Sequence, residues 1–216
     1  MAGYENGTST RRAILDACKK LFYEKGYHET SYDDICREAH VNRGSIYYHF
    51  KEKENIRYEV LWEASVALYH DAQKLCPQKE YQGILAVYLF WWELHLDSRS
   101  RKFNLDYMDD YPMYERNSPF AIYFDMLNKY MYRDVLVNPD LDNLGFAALY
   151  GLELCLMRLL DKYPEQYSVR KLFTEGFLAG NDIRRIPHEE IRRVWEDLQP
   201  WLDRADAEVE RIFKPE

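Results

Sequence analysis

The stretch GYHETSYDDICREAHVNRGSIYYHFKEKENI, residues 26–56, decides the fold of this chain of 216 residues. Its apolar spacing predicts two short helices, separated by a tight break at His40-Val41-Asn42. Thr30 or Ser31 is placed to cap the first helix and Asn42 the second, because such side chains accept hydrogen bonds from free N–H groups at a helix start. Two short helices joined in this way are typical of a helix-turn-helix, whose second helix enters the major groove of DNA.

Helices are predicted outside this stretch as well, and no segment shows the alternation of a β-strand. One helix should run from Thr10 to Lys25, with Ser9 or Thr10 as its cap and Gly26 at its end. The others are predicted at about 53–75, 80–97, 99–110, 119–136, 140–162, 168–180 and 187–213. Pro200 should kink the last helix or begin a new one, since proline removes a helical hydrogen bond.

These helices define an all-α fold class with two domains. Residues 1–56 are expected to form a three-helix helix-turn-helix domain, joined by a long helix to a second helical domain at residues 57–216. The formal net charge is −8, from 29 basic and 37 acidic residues. Residues 1–56 contain nine of each sign, so the whole negative excess lies in the second domain. DNA would therefore be repelled everywhere except at a local basic surface.

Composition excludes several classes of protein. Cys18, Cys36, Cys76 and Cys155 are far apart and form no C-x-x-C pair, which favours reduced thiols in the cytoplasm. The longest charge-free apolar stretch, Tyr81–Trp92, has twelve residues and is too short to cross a bilayer. The N-terminal segment lacks the apolar part of a secretory signal. We therefore expect a cytoplasmic protein with no membrane partner.

The sequence contains no motif of an enzyme or of a metal site. It lacks G-x-S-x-G, the P-loop, G-x-G-x-x-G and H-E-x-x-H, and its six histidines show no ligand spacing. We therefore expect neither catalysis nor a bound metal nor a cofactor.

The second short helix carries residue types that bind DNA. Ile46 and Phe50 are expected in the core, whereas Arg43 can make a bidentate contact with guanine and Gly44 allows close approach of the backbone. The predicted DNA-binding residues are Thr30, Ser31, Asn42, Arg43, Gly44, Ser45, Tyr47, Tyr48, His49, Lys51 and Lys53. A solvated surface in a protein that never touches DNA is the alternative.

The segment from Thr10 to Ile56, about a quarter of the chain, resembles the DNA-binding domain of the TetR (tetracycline repressor-like) family. The resemblance rests on Gly26-Tyr27, Thr30-Ser31, Ile35, Ala39, Val41, the run from Gly44 to Lys51, and Lys53-Glu54. One difference is His40, where the family usually has glycine. A left-handed backbone at this position would cost a histidine some stability.

The resemblance implies a homodimer that binds a palindromic, double-stranded DNA operator and represses transcription. It also implies that residues 57–216 bind a small-molecule effector and dimerise, with the helix at 53–75 as the lever between the two functions. The first hypothesis is therefore a ligand-responsive transcriptional regulator. The alternative is a helical small-molecule-binding or scaffold protein that no longer binds DNA.

Aromatic residues with interleaved acids make the second domain a candidate for binding an aromatic or cationic effector, through stacking and cation–π attraction. The candidate ligand-binding residues are Tyr88, Trp91, Trp92, His95, Tyr107, Tyr123, Met126, Tyr130 and Glu153. Ordinary helix packing with a solvated acidic face explains the same pattern.

Small residues among large ones in the helix at 140–162 favour a close helix–helix contact. A buried internal helix accounts for them equally well, and the resemblance favours a dimer. The candidate interface residues are Leu144, Ala148, Gly151, Leu152, Leu156, Leu159, Leu172, Phe173 and Phe177.

Overall fold

A computed structural model of the protein describes residues 2–111 and 142–214, with side chains from residue 8 onwards. These ranges contain nine helices and no strand, which confirms the all-α class. The helices are α1 (Ala2–Glu24), α2 (Tyr32–Ala39), α3 (Arg43–His49), α4 (Lys53–Leu75), α5 (Lys79–Leu96), α6 (Ser98–Asp110), α7 (Asn143–Lys162), α8 (Val169–Ile183) and α9 (His188–Phe213). The helix predicted at 119–136 lies outside the described residues.

Side-chain caps fix the starts of α2 and α3. The Asp34 N–H donates to Ser31 Oγ at 3.1 Å, and the Ser31 N–H donates back to the Asp34 carboxylate at 3.0 Å. Asn42 Oδ1 accepts the Ser45 N–H at 2.8 Å. These bonds confirm Asn42 as a cap and show that Ser31, and not Thr30, caps α2.

Two turns of the first domain use a left-handed backbone. Gly26, which follows α1, has φ of 106°, and His40, which follows α2, has φ of 54°. The prediction for His40 is thus confirmed, although the conformation costs a residue other than glycine about 1–2 kcal/mol. The Val41 N–H donates to the Cys36 carbonyl at 3.0 Å and helps to hold the turn.

One prediction about a helix start is wrong, and one of the two alternatives for Pro200 is excluded. α1 begins at Ala2, so Ser9 and Thr10 lie inside it and do not cap it. Helix propensity is a weak constraint of about 1 kcal/mol even for glycine, and it does not stop a helix early. Pro200 lies within the continuous helix α9 and does not begin a new one, because apolar side chains on both sides of it, Leu198 and Leu202, are fully buried on one stripe.

The chain forms two compact units, Met1–Ala64 and Ser65–Glu216. In the first unit, Ile14, Ile35 and Ile46 bring α1, α2 and α3 onto one apolar core. Ion pairs from Arg11 to Glu59 and from Arg12 to Glu63 join α1 to α4 within this unit.

In the second unit, α9 packs against α5 and α8. The Asp206 carboxylate accepts hydrogen bonds from the Tyr88 hydroxyl, from Trp92 Nε1 at 2.9 Å and from Arg170 Nη2 at 2.8 Å. One carboxylate of α9 thus joins both neighbouring helices. The C-terminal run of residues packs on the body of its own unit.

Candidate functional site

α3 turns a polar and aromatic face to solvent. The Tyr48 side chain is 84% exposed and that of Tyr47 is 49% exposed, whereas Ile46 is fully buried and anchors the helix. Arg43 and Gly44 are also exposed. A Cβ at Gly44 would come within 3.2 Å of Asn42 Oδ1, so glycine at this position also protects the cap of α3. The exposed residues are thus held on a helix with a fixed start.

Tyr32 positions this face by joining α2, α3 and α4. Its hydroxyl accepts the backbone N–H of Lys53 at 2.9 Å, and its ring centroid lies 5.2 Å from that of Tyr47. The Arg43 guanidinium lies over the Tyr32 ring, 5.3 Å from its centroid. Burial is the main cause that raises the pKa of Tyr32, so the hydroxyl stays neutral. The sequence analysis did not identify this role of Tyr32.

The guanidinium of Arg43 also faces an acid. Arg43 Nη2 lies 4.0 Å from Asp33 Oδ1, and both side chains are largely exposed. This distance is the limit of an ion pair rather than a hydrogen bond. The contact therefore biases the position of Arg43 without locking it.

Two of the predicted DNA-binding residues, Thr30 and Lys53, have their polar groups bonded inside the first unit. Lys53 Nζ donates to the backbone carbonyls of Tyr27 at 2.8 Å and Thr30 at 2.9 Å. The Thr30 side chain is buried and donates to the Gly26 carbonyl at 2.7 Å. The polar groups of both residues are used inside the unit, because the turn before α2 has free carbonyls that need donors. Burial lowers the pKa of Lys53.

The other predicted DNA-binding residues lie at or near the surface. Lys51 is exposed beside the start of α4, and the exposed Ser31 donates its hydroxyl to Asp34 at 2.7 Å. The His49 ring is half-buried and meets the edge of the Tyr48 ring, with centroids 5.0 Å apart. Asn42 and Ser45 are bonded to each other in the cap.

Most of the neighbouring basic side chains are paired with acids. Lys20 pairs with Glu38 at 2.7 Å, and both Lys25 and Arg37 pair with Asp34. The Lys25 ammonium, helped by Ser31, holds the pKa of the Asp34 carboxyl well below its usual range. Acidic side chains of the same unit therefore neutralise much of the local basic surface that the sequence predicts.

Six of the nine predicted ligand-binding residues lie in the described part of the chain. Tyr88, Trp91 and Tyr107 are buried within the second unit. Trp92 is tied to Asp206, and its ring centroid lies 5.8 Å from that of His95. The three candidates that lie outside the described residues are Tyr123, Met126 and Tyr130.

Glu153 is the candidate in the most unusual environment. Helical spacing places it on the same side of α7 as Tyr150, Met157 and Leu160, all of which are buried. Burial raises the pKa of the Glu153 carboxyl, against a smaller opposite effect of Arg184. Its charged form is thus disfavoured in the folded unit.

The predicted interface residues divide into three groups of three. In the first group, Leu144 is 76% exposed, and Ala148 and Gly151 follow it along one side of α7, with solvent or open space beside them. The exposed Cys155, which was not among the predicted interface residues, continues this line. We call these four residues the outer stripe of α7.

The second group needs a correction. Leu156, Leu172 and Phe173 are buried inside the unit, and the Phe173 ring lies 4.9 Å from the Tyr88 ring centroid. These residues are core residues because α7 packs on α6 and α8, and α8 packs on α5 as well. Of the remaining candidates, Leu152, Leu159 and Phe177 are half-buried.

By length and composition, α7 is apolar enough to cross a membrane. A single helix of this kind is weak evidence, because a packing helix of a soluble protein passes the same test. Among residues 2–111 and 142–214, no three His, Cys, Asp or Glu side chains are grouped as a metal site would require.

Two comparisons of sequence bear on this geometry. Residues 14–60 match the family model of bacterial regulatory proteins of the tetR family. The transcriptional regulator AcrR of Shigella flexneri is 41% identical over 61 residues, which are 28% of each chain. IcaR of Staphylococcus aureus, a negative transcriptional regulator of the biofilm operon icaADBC, is 33% identical over 88 residues, 41% of this chain and 47% of IcaR. The chain thus matches less than half the length of these curated relatives.

Solved structures of similar proteins include SmeT, the repressor of the SmeDEF multidrug efflux pump of Stenotrophomonas maltophilia. It is 20% identical, with a TM-score of 0.47, over 84% of this chain and 94% of SmeT. A TetR-family transcriptional regulator of Pectobacterium atrosepticum is also 20% identical, with a TM-score of 0.45, over 81% of this chain and 92% of that one.

The capped pair of helices α2 and α3, with its exposed second helix, defines a protein of the helix-turn-helix class. The match of residues 14–60 to the family model is more specific than this structural class. Through this segment, the chain is similar to bacterial regulatory proteins of the tetR family.

Replacing Lys53 should weaken the fold of the first unit. Lys53→Ala removes two charge-assisted hydrogen bonds to backbone carbonyls, and we expect it to lower the free energy of unfolding by about 2 kcal/mol. Amide hydrogen exchange in α1–α3 of the full chain measures this change. The matched control is Lys51→Ala, at an exposed position, which should change stability by less than about 0.5 kcal/mol. Equal effects of the two variants would contradict this assignment.

Proposed function

We propose that the protein is a ligand-responsive transcriptional regulator, a repressor that binds a palindromic operator as a homodimer and is released by a small molecule. The observation that carries the proposal is the exposed face of α3, with Arg43, Gly44, Tyr47 and Tyr48, in a segment that matches the TetR family. The negative regulator IcaR among the relatives supports repression.

The chemistry of this face fits the major groove. Arg43 can donate two hydrogen bonds to the O6 and N7 atoms of guanine. The tyrosine hydroxyls and Lys51 can bind phosphate oxygens, which fix the register of the helix without reading the sequence. A two-fold dimer must hold its two copies of α3 about 34–36 Å apart to reach successive major grooves.

The outer stripe of α7 supports the proposed homodimer. Leu144, Ala148, Gly151 and Cys155 form an exposed, charge-free line on which a second helix can approach closely. An isologous contact brings the same stripe of two copies together. Pairing would remove the exposed apolar surface of Leu144 from water.

The half-buried carboxyl of Glu153, whose pKa is raised, supports an effector that is aromatic or cationic. A carboxylate among apolar side chains is costly unless a positive charge compensates it, so an organic cation would gain more from Glu153 than a neutral molecule. If the effector binds better to a dimer with a different spacing of its DNA-binding units, it weakens operator binding by that difference in affinity.

We assign the protein no catalytic activity and a cytoplasmic location. The matched relatives AcrR and IcaR are transcriptional regulators, which supports the first assignment. The alternative, a helical small-molecule-binding or scaffold protein without DNA binding, predicts that the full chain selects no DNA sequence.

Selection of bound DNA from a random pool tests the function. We expect a palindrome with a guanine in each half-site. Tyr48→Ala should lower affinity for the selected DNA roughly tenfold, the loss of about one hydrogen bond, without lowering the midpoint of thermal unfolding. Selection of no consensus sequence would favour the alternative function. If Tyr48→Ala binds the selected DNA as tightly as the wild-type protein, Tyr48 does not contact the DNA.

A charge on the outer stripe of α7 should separate the dimer. In Leu144→Asp the carboxylate would be buried without a partner, and we expect the dissociation constant of the dimer to rise at least about tenfold. Analytical ultracentrifugation measures this change. Leu96→Asp, at an exposed leucine of α5, is the control and should leave the dimer intact. Loss of the dimer in the control alone would place the interface elsewhere.

Neutralising Glu153 should stabilise the second unit and weaken the binding of cations. Folding raises the pKa of this carboxyl, so the wild-type protein loses stability as the pH rises through the folded-state pKa. Glu153→Gln stays neutral and should therefore unfold at a higher temperature at pH 8, with a smaller difference at pH 4. An aromatic quaternary ammonium dye should bind the variant less tightly, and its neutral analogue should bind both proteins equally. Identical thermal midpoints at pH 8 would exclude a costly buried charge.

A further inference from the structure

An acidic residue of α2 lies beside the exposed face of α3, and the proposed function does not use it. Asp33, in the first turn of α2, is 80% exposed, and its Oδ1 lies 4.0 Å from Arg43 Nη2. A carboxylate on a surface that meets phosphates is unfavourable for DNA binding by itself. Its place beside the one arginine of α3 therefore calls for a functional explanation.

The geometry of Arg43 allows it to bind two partners at once. A guanidinium has five N–H donors in a planar fork, so one edge can bind guanine while the other edge faces a carboxylate. The Tyr32 ring, 5.3 Å from the guanidinium carbon, restricts the plane of the fork. The aromatic ring limits the tilt of the side chain and Asp33 limits its rotation.

We propose that Asp33 is a specificity-determining residue, which acts through Arg43 and lowers affinity for non-operator DNA without lowering affinity for the operator. The inference rests on the proposed DNA-binding function. On non-operator DNA, binding depends on contacts between cations and phosphates, and Asp33 competes with phosphate for Arg43. On the operator, Arg43 is held by a guanine edge, and Asp33 orients the guanidinium instead of competing with the base.

The effect of Asp33 therefore differs between the two kinds of DNA. Removing the charge should leave Arg43 free to bind any phosphate, which raises non-operator affinity. It should also remove the lateral support of the arginine on guanine, which leaves operator affinity unchanged or lower. The ratio of the two affinities is the quantity that Asp33 controls.

The test measures the affinity of the full-length protein for its selected operator and for a scrambled duplex at several salt concentrations. Asp33→Asn should raise affinity for the scrambled duplex about threefold to tenfold and steepen its dependence on salt by about one phosphate contact. Its operator affinity should not rise, so the operator preference falls. In an Arg43→Ala background, Asp33→Asn should have no such effect, because its partner is absent.

Glu24→Gln is the matched control, an equal change of charge at an exposed position at the end of α1. The proposal is overturned if this control gains as much affinity for the scrambled duplex, or if Asp33→Asn gains as much in the Arg43→Ala background. Asp33 would then act only through the net charge of the protein. An unchanged ratio in Asp33→Asn would overturn it as well. A wild-type protein without any preference for a selected duplex would instead refute the proposed function.

Discussion

The ammonium of Lys53 holds the first unit together, and the position of the exposed face of α3 depends on it. Lys53 Nζ lies 4.2 Å from the Tyr27 ring centroid while it binds the carbonyls of Tyr27 and Thr30. The guanidinium of the buried Arg57 also packs against the Tyr27 ring, at 4.0 Å. The turn before α2 is thereby tied to the start of α4. The same residue presents its backbone N–H to Tyr32, on which Arg43 and Tyr47 of α3 rest.

The local signals of the sequence predicted the backbone of this unit well. Asn42 was identifiable as a cap from its place before a short helix, and the left-handed turn at His40 followed from the resemblance. Both depend on interactions within about four residues, which a sequence displays directly. The same holds for the outward and inward sides of α3, because a helix with a single apolar stripe has only one way to pack.

The sequence was a poorer guide to the direction of charged side chains. Lys53 and Lys51 are two residues apart and chemically identical, yet one donates to backbone carbonyls and the other lies in solvent. Their difference arises from a turn more than twenty residues away. Leu156 and Leu144 of α7 differ in burial for a similar reason. Leu156 is covered by α8, whereas Leu144 is exposed to solvent. Such non-local partners leave no pattern in the neighbouring residues.

If the protein binds DNA as proposed, the internal pairing of basic side chains in the first unit affects how it searches a genome. Lys20, Lys25 and Arg37 each face an acid, so the unit has few cations left for random phosphates. Weak attachment to random DNA shortens each visit and leaves more protein in free solution. A small number of molecules would then suffice to keep one site occupied. Such a protein would slide along DNA less than a strongly basic protein does, and it would dissociate faster from non-operator sites.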